Sequence, residues 1–213
     1  MARENLFING STWLKADFHL HTESDKQFNY SGDDFCSDYI NALVAKGVNL
    51  GVITNHNKFI KDEYKHLKDA AKKQNIWILP GVELSVNDGS NGIHTLIVFD
   101  PETWIQEPTD YINNFLSAAF EDVYNSENAD QRCRYNVSEL LKKLSEHRTL
   151  GRDSLIIFAH VDADNGFLKG LNGGSIKQIA NNELFDKFVL GFQKSRKFDL
   201  QNRYKEVTGK VLP

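Results

Sequence analysis

The chain runs to 213 residues, 40% hydrophobic and 25% charged, a globular composition sufficient for one α/β core, so a single domain over 1–213 is the expectation. A net charge of −4 argues against a broad nucleic-acid surface, and the longest apolar run, "LIIFA" at 155–159, is too short to cross a bilayer. Two cysteines without partner spacing, Cys36 and Cys133, argue against a disulfide-stapled secreted domain and point to a reducing compartment, the cytoplasm.

The first expected strand, 12–18, runs into "DFHLHT" at 17–22. A helical pattern at 35–46, closed by Gly47, leads to a second strand at 48–54 that ends in "VITNHN". The next helix, 58–74, carries His66 among lysines and acids, as a solvated residue would lie. A strand at 76–84, "IWILPGVEL", contains one ionisable residue, Glu83, and the strand at 93–99 opens with His94. A helix at 109–122 and one at 137–147 flank the polar stretch 122–136, which reads as a mobile loop between them. His147 closes the second of these helices beside Arg148, where an imidazolium suits the helix C-terminus. The strand at 154–161 ends at His160 in "FAHVDAD"; "LNGGS" at 171–175 enters a helix at 175–187, and a last strand spans 188–193. This alternation implies a mainly parallel sheet, covered on both faces or closed as a barrel. A hairpin-like pairing is expected at 93–99, which no clear helix precedes.

Residues two apart on a strand share a face, so His19 and His21 aim two imidazoles at one point. His56, flanked by Asn55 and Asn57, sits at a strand tip, where parallel α/β sheets collect functional groups. With Glu83, His94 and His160, this makes five histidines and one glutamate at successive strands. Imidazole plus carboxylate suits zinc, manganese or iron(II), and one carboxylate can bridge two ions. Lys58, Arg152, Lys194 and Arg196 are candidates for holding a substrate phosphate, and "LNGGS" is a candidate anion cradle whose plainer role is helix entry.

The ordered motifs "HLH", "NH", "GVE", "IH" and "AH" resemble the PHP (polymerase and histidinol phosphatase) domain over roughly residues 11–195. More narrowly, "GSTWLKADFHLHT", "GVITNHNKF", "ILPGVELSVNDGSNGIHTLIVFD", "IIFAHVD" and "LGFQKSR" resemble the N-terminal PHP part of TrlF-like proteins, in which an SMC/ABC-like ATPase region follows. The resemblance implies a distorted (β/α)7 TIM-like barrel with metal-dependent phosphoesterase activity. It implies two or three divalent ions: His19 and His21 on one, Glu83 bridging it to a second held by His94 and His160, and His56 at a third position. His19, His21, Glu83 and His160 would be the catalytic set. Asp25 resembles the acid that follows the first motif, and Asp17 suits a role as an acceptor orienting a histidine, with Asn55 beside it.

Two departures follow from the same resemblance. Asn55 stands where the family commonly has aspartate, which weakens a full third metal. No histidine follows His160, so the family's final Asp-any-His motif is absent, and the ending "GKVLP" reads as the lead-in to a missing last strand of a longer protein. The leading expectation is hydrolysis of a phosphate ester, either a nucleic-acid end processed with an SMC/ABC-like ATPase in cis or trans, or a small phosphomonoester of the histidinol phosphate kind. The alternative is a catalytically weak or inactive metal-binding module that supports the ATPase. No membrane partner is expected.

Overall fold

A computed structural model describes residues 13–121, 131–195 and 199–212. Six strands form one sheet in the order β1 (Ala16–Leu20), β2 (Leu50–Ile53), β3 (Trp77–Val86), β4 (Ile93–Phe99), β7 (Ser154–Phe158), β8 (Val189–Phe192). A separate two-stranded ribbon pairs β5 (Ile105–Gln106) with β6 (Thr109–Asp110). The helices are α1 (Phe35–Ala45), α2 (Lys61–Lys73), α3 (Pro101–Trp104), α4 (Tyr111–Phe120), α5 (Val137–Thr149), α6 (Gly173–Ala180), α7 (Phe185–Phe188) and α8 (Leu200–Thr208).

Connection length sets the direction of each pairing. Helix-bearing connections join the parallel pairs β1–β2, β2–β3 and β7–β8. Between β3 and β4 there is room only for a turn, which takes left-handed backbone at Gly89 (φ +67°) and Gly92 (φ +77°), so β4 runs antiparallel to β3 and also to β7. The expected hairpin-like pairing is therefore present, and the sheet is mixed. Because β4 runs against its neighbours, its first residues lie at the same end of the sheet as the last residues of β1, β2 and β7.

The sheet curls into a half-barrel. Four strands separate β1 from β8, yet the His19 side chain reaches Gln193, the residue after β8, at 2.8 Å. The two edges meet through side chains, and a cleft of about 360 Å³ lies between them, lined by Phe18, Leu96, Ile157, Leu190 and Phe192 among others. Inside the curl a small apolar cluster, Leu96, Ile157 and Ala159 with Phe18 and Leu155, fills the space. Outside it, the helices bury the main core. Phe158 stacks on Phe167 at 4.3 Å and on Phe185 at 6.2 Å, each ring contributing roughly 1.5–3 kcal/mol on burial.

Several expected boundaries move. The first strand, expected at 12–18, is Ala16–Leu20, and its later end takes in His19 and leaves His21 just beyond it. The helix expected from 58 begins at Lys61, because Asn57 takes φ +51° and residues 55–59 are buried at the sheet end. The helix expected over 175–187 is two helices, parted where the Asn182 carboxamide accepts the Leu184 N–H. Before the ending "GKVLP" the chain forms α8, capped by Asp199 and closed by Gly209 at φ +74°. Most of the expected loop at 122–136, and with it residues 122–130, lies outside the described residues. No described helix is long and apolar enough to span a membrane.

Candidate metal centre

β1, β2 and β3 align so that the ladder continues beyond β2: His56 bridges Glu83, with Glu83 N–H donating to the Asn55 carbonyl and Asn57 N–H to the Glu83 carbonyl. This sets His56 beside Glu83. Ser85 pairs with His94 across β3–β4, which puts His94 one step along the same face as Glu83. His160 lies two residues past β7 in the left-handed region, at φ +26°. Such backbone in a non-glycine residue costs on the order of 1–3 kcal/mol and is held by its surroundings.

Glu83, only 1% exposed, is the hub. Its Oε2 faces Nε2 of His19 at 2.7 Å, of His56 at 3.2 Å and of His21 at 3.4 Å. Its Oε1 faces Nδ1 of His94 at 2.6 Å and Nε2 of His160 at 3.1 Å. The five expected histidines and the glutamate thus meet in one place, and three overlapping donor groups lie within metal-binding reach of one another: His19, His21 and Glu83; His21, Asp25 and His56; His56, Glu83 and His94.

Proton bookkeeping shows what this arrangement lacks. Gln193 Oε1 accepts the His160 backbone N–H (3.3 Å), which fixes the oxygen's orientation, so at 2.8 Å it takes the proton from Nδ1 of His19. Asp25 Oδ2 accepts from Nδ1 of His21 (3.1 Å), from Nδ1 of His56 (2.9 Å) and from the His56 backbone N–H (2.7 Å). With Nδ1 protonated in all three rings, each neutral imidazole turns a bare Nε2 lone pair toward Glu83 Oε2. Nε2 of His19 and His21 stand 3.1 Å apart with no proton of a neutral ring between them. Only positive charge satisfies such a convergence, either added protons or cations, and the donors fit a borderline divalent metal. The Nδ1 of His160 is buried and has no hydrogen-bond partner among the described residues, and that ring's other nitrogen is turned to the same hub.

The electrostatics agree. Burial opposes charge on His19 and His56, but Glu83, Gln193 and Asp17 around the first, and Asp25 and Glu83 around the second, outweigh it and raise both pKa values. Burial likewise favours a neutral Glu83, yet the facing side chains of His160, His19 and His94 hold it well below the usual carboxylate range. Asp25 is also held low, where burial is overcome by His21, His56 and the backbone amides of His56 and Gln27.

The remaining expected residues divide. Asp25 serves as the acceptor behind two rings, as an orienting carboxylate does. Asp17 accepts from His19 through the backbone, its Oδ1 taking the His19 N–H (3.1 Å), while the ring proton of His19 goes to Gln193. Asn55 points away from the hub and ties the β1 tip to the β2 tip, accepting Thr22 N–H (2.9 Å) and donating to Thr22 Oγ1 (2.7 Å). Thr22 passes its own hydroxyl proton to Glu63 Oε2 (2.7 Å), while Ser24 gives its to Oε1 (3.0 Å). A carboxylate at position 55 would face an oxygen with no proton to give, so the amide is what this chain of hydrogen bonds requires.

Lys58 is buried and donates to the Ser24 carbonyl at 2.9 Å, beneath the loop that carries Asp25. Arg152 is not brought to the cluster: it precedes β7, at the end opposite His160, and lies over Tyr111 at 4.1 Å. Lys194 is exposed next to Gln193, and Arg196 lies outside the described residues. The "LNGGS" segment is a plain helix entry, with Asn172 capping α6 through Ser175 N–H. His66 is exposed as expected. His147 differs from expectation: it packs on Trp104 at 4.6 Å and takes a hydrogen bond from Arg152 Nε, and burial together with Arg152 lowers its pKa, so it stays neutral rather than charged at the helix end.

Sequence reasoning missed Gln193 and Glu63. Gln193 stands in "LGFQKSR", and its place just past a strand end is the signal for it; Glu63, in a charged helix, gives none.

No family model matches the chain, and a search of curated proteins finds no match. Among solved structures it is similar to a Bifidobacterium adolescentis protein assigned as a metal-dependent phosphoesterase, with 12% identity, 91% of this chain and 82% of that one covered, and a TM-score of 0.54. It also matches an amidohydrolase from Chromobacterium violaceum (14% identity, 84% and 76% covered, TM-score 0.49) and PsfC from Pseudomonas syringae (13%, 84% and 74%, 0.41). At such identities the first likeness is one of fold.

Proposed function

We propose that this chain is a metal-dependent phosphoesterase. The observation that carries the reading is the convergence of the Nε2 atoms of His19, His21 and His56 on one oxygen of Glu83, whose other oxygen faces His94 and His160. The likeness in fold to a protein assigned that activity adds support. His19, His21 and Glu83 would hold one divalent ion, Glu83, His94 and His160 a second, and His56 would contribute to a third position. Zinc, manganese and iron(II) all suit such donors. When bound, such ions supply Lewis acidity toward a phosphoryl oxygen and make water a better nucleophile near neutral pH.

The chain's own residues prepare that chemistry. Asp25 and Gln193 hold protons on the far side of His21, His56 and His19, which keeps the Nε2 lone pairs turned inward. Glu83 stays ionised and offers an oxygen to each side of the hub. Hydrolysis joins a water oxygen to phosphorus and breaks the phosphorus–ester oxygen bond, and the departing oxygen takes a proton.

The finer reading is a PHP domain with a (β/α)7 barrel, in which a further strand would lie along the β1–β8 cleft. Motif likeness to TrlF-like proteins favours a cytoplasmic protein acting with an SMC/ABC-like ATPase region on a nucleic-acid end, and a small phosphomonoester is the competing substrate. Protein loaded with manganese, zinc or iron(II) is to be assayed with a nitrophenyl phosphomonoester, its diester and labelled oligonucleotides. Metal-dependent turnover lost in Glu83→Gln is expected; no turnover of any of them overturns the reading. The open cleft between β1 and β8 favours a second reading, a metal-binding module without activity of its own. For that module, replacing Glu83 would lower metal content and stability with no turnover to lose.

A further inference from the structure

Besides the apolar cleft at the His19 side, a second cavity reaches the metal cluster, and it is polar. It measures about 530 Å³ and is lined by Asn91, His94, Arg132, Ala163, Asp164 and Asn165. His94 forms its inner wall while its Nδ1 touches Glu83, so the cavity and the hub share one imidazole. Arg132 lies over Gly92, where a Cβ would meet its Cγ at 3.4 Å, and it hydrogen-bonds the Ser90 carbonyl. Its guanidinium makes no other hydrogen bond among the described residues, and neither do the side-chain amides of Asn91 and Asn165. The one acid in the lining, Asp164, is paired with Lys169 at 2.8 Å.

We infer that this cavity is the leaving-group subsite, and that Arg132 with the amides of Asn91 and Asn165 selects phosphate esters whose leaving group carries an anionic substituent, a carboxylate or a second phosphate. This rests on the phosphoesterase reading. A volume near 530 Å³ exceeds what one phosphoryl group needs and matches that of a small-molecule site. Its free donors are of the kind that recognise oxyanions, a planar guanidinium above all. With the ester phosphorus at the cluster, the substituent would extend past His94 to Arg132.

The test uses metal-loaded protein and two sets of probes. Non-hydrolysable phenylphosphonate, 4-carboxyphenylphosphonate and 1,4-phenylene bisphosphonate are titrated calorimetrically into wild type, Arg132→Gln and Arg132→Lys. The matching phenyl phosphates are assayed for turnover. Wild type should bind the anion-bearing phosphonates about tenfold or more tightly than the plain one, Arg132→Gln should abolish that difference, and Arg132→Lys should keep part of it. In turnover the same change should appear in KM for the anion-bearing esters, with kcat and metal content unchanged. The carboxylate and phosphate arms show which substituent the subsite prefers. Equal binding of all three phosphonates by wild type, or a preference that survives in Arg132→Gln, overturns the inference. Absence of turnover with the binding preference intact instead overturns the phosphoesterase reading.

Discussion

At Glu83 the deciding atoms are the ones behind the rings. Asp25 and Gln193 take the Nδ1 protons of His21, His56 and His19, and only then do three Nε2 lone pairs point the same way. Replacing Gln193 by leucine frees the His19 ring to adopt the other tautomer, and metal affinity should fall about 10–100-fold, measured by competition with a chromogenic chelator. Gln193→Glu keeps an acceptor at the same place and should restore most of it. The histidines and Glu83 were readable in the sequence because imidazoles at strand ends stand out from their apolar surroundings. Gln193 was not, since its partner His19 lies 174 positions away and meets it only when the sheet curls.

At the level of elements, the tips of β1 and β2 are locked together by the relay from Asn55 through Thr22 to Glu63 on α2. Asn55→Asp places a buried carboxylate against the lone pairs of Thr22 and should cost about 2–3 kcal/mol in urea unfolding, whereas an Asn55 that served a metal would be improved by the change. α5 offers a pH test. Burial first, and Arg152 second, hold the His147 pKa below its unfolded value of about 6.5. The unfolded chain therefore binds more protons there than the native one, so stability should be level above about pH 6.5 and fall as pH drops toward the native pKa. His147→Phe keeps the packing on Trp104 and should remove that part of the slope in pH-resolved thermal melts. Strand and helix identities were largely legible from periodicity. The direction of β4 was legible from the short connection before it, and the start of α2 was not, because Asn57 reverses the backbone for the sake of Ser85 and Glu83.

Across the molecule, one carboxylate on β3 gathers side chains from four other strands or the loops that follow them, so occupancy of the site is coupled to the whole curl. An ion present at about a hundred times its dissociation constant adds roughly 2.7 kcal/mol, which for a chain of this size is about 5–10 °C in Tm. Manganese or zinc should raise the melting temperature by that order, a chelator should reverse it, and Glu83→Gln should show neither effect. Where the curl ends matters as well. In a closed barrel, strand number and stagger dictate the circumference and hence the radius at the mouth. Among the described residues β1 and β8 are the ends of an arc, clasped at the site by His19 and Gln193 with a cleft between them. Such an arc could widen or tighten by small rotations at its ends, and its donors could follow ions of different radius without breaking a ladder hydrogen bond, an adaptability that a further strand closing the ring would remove.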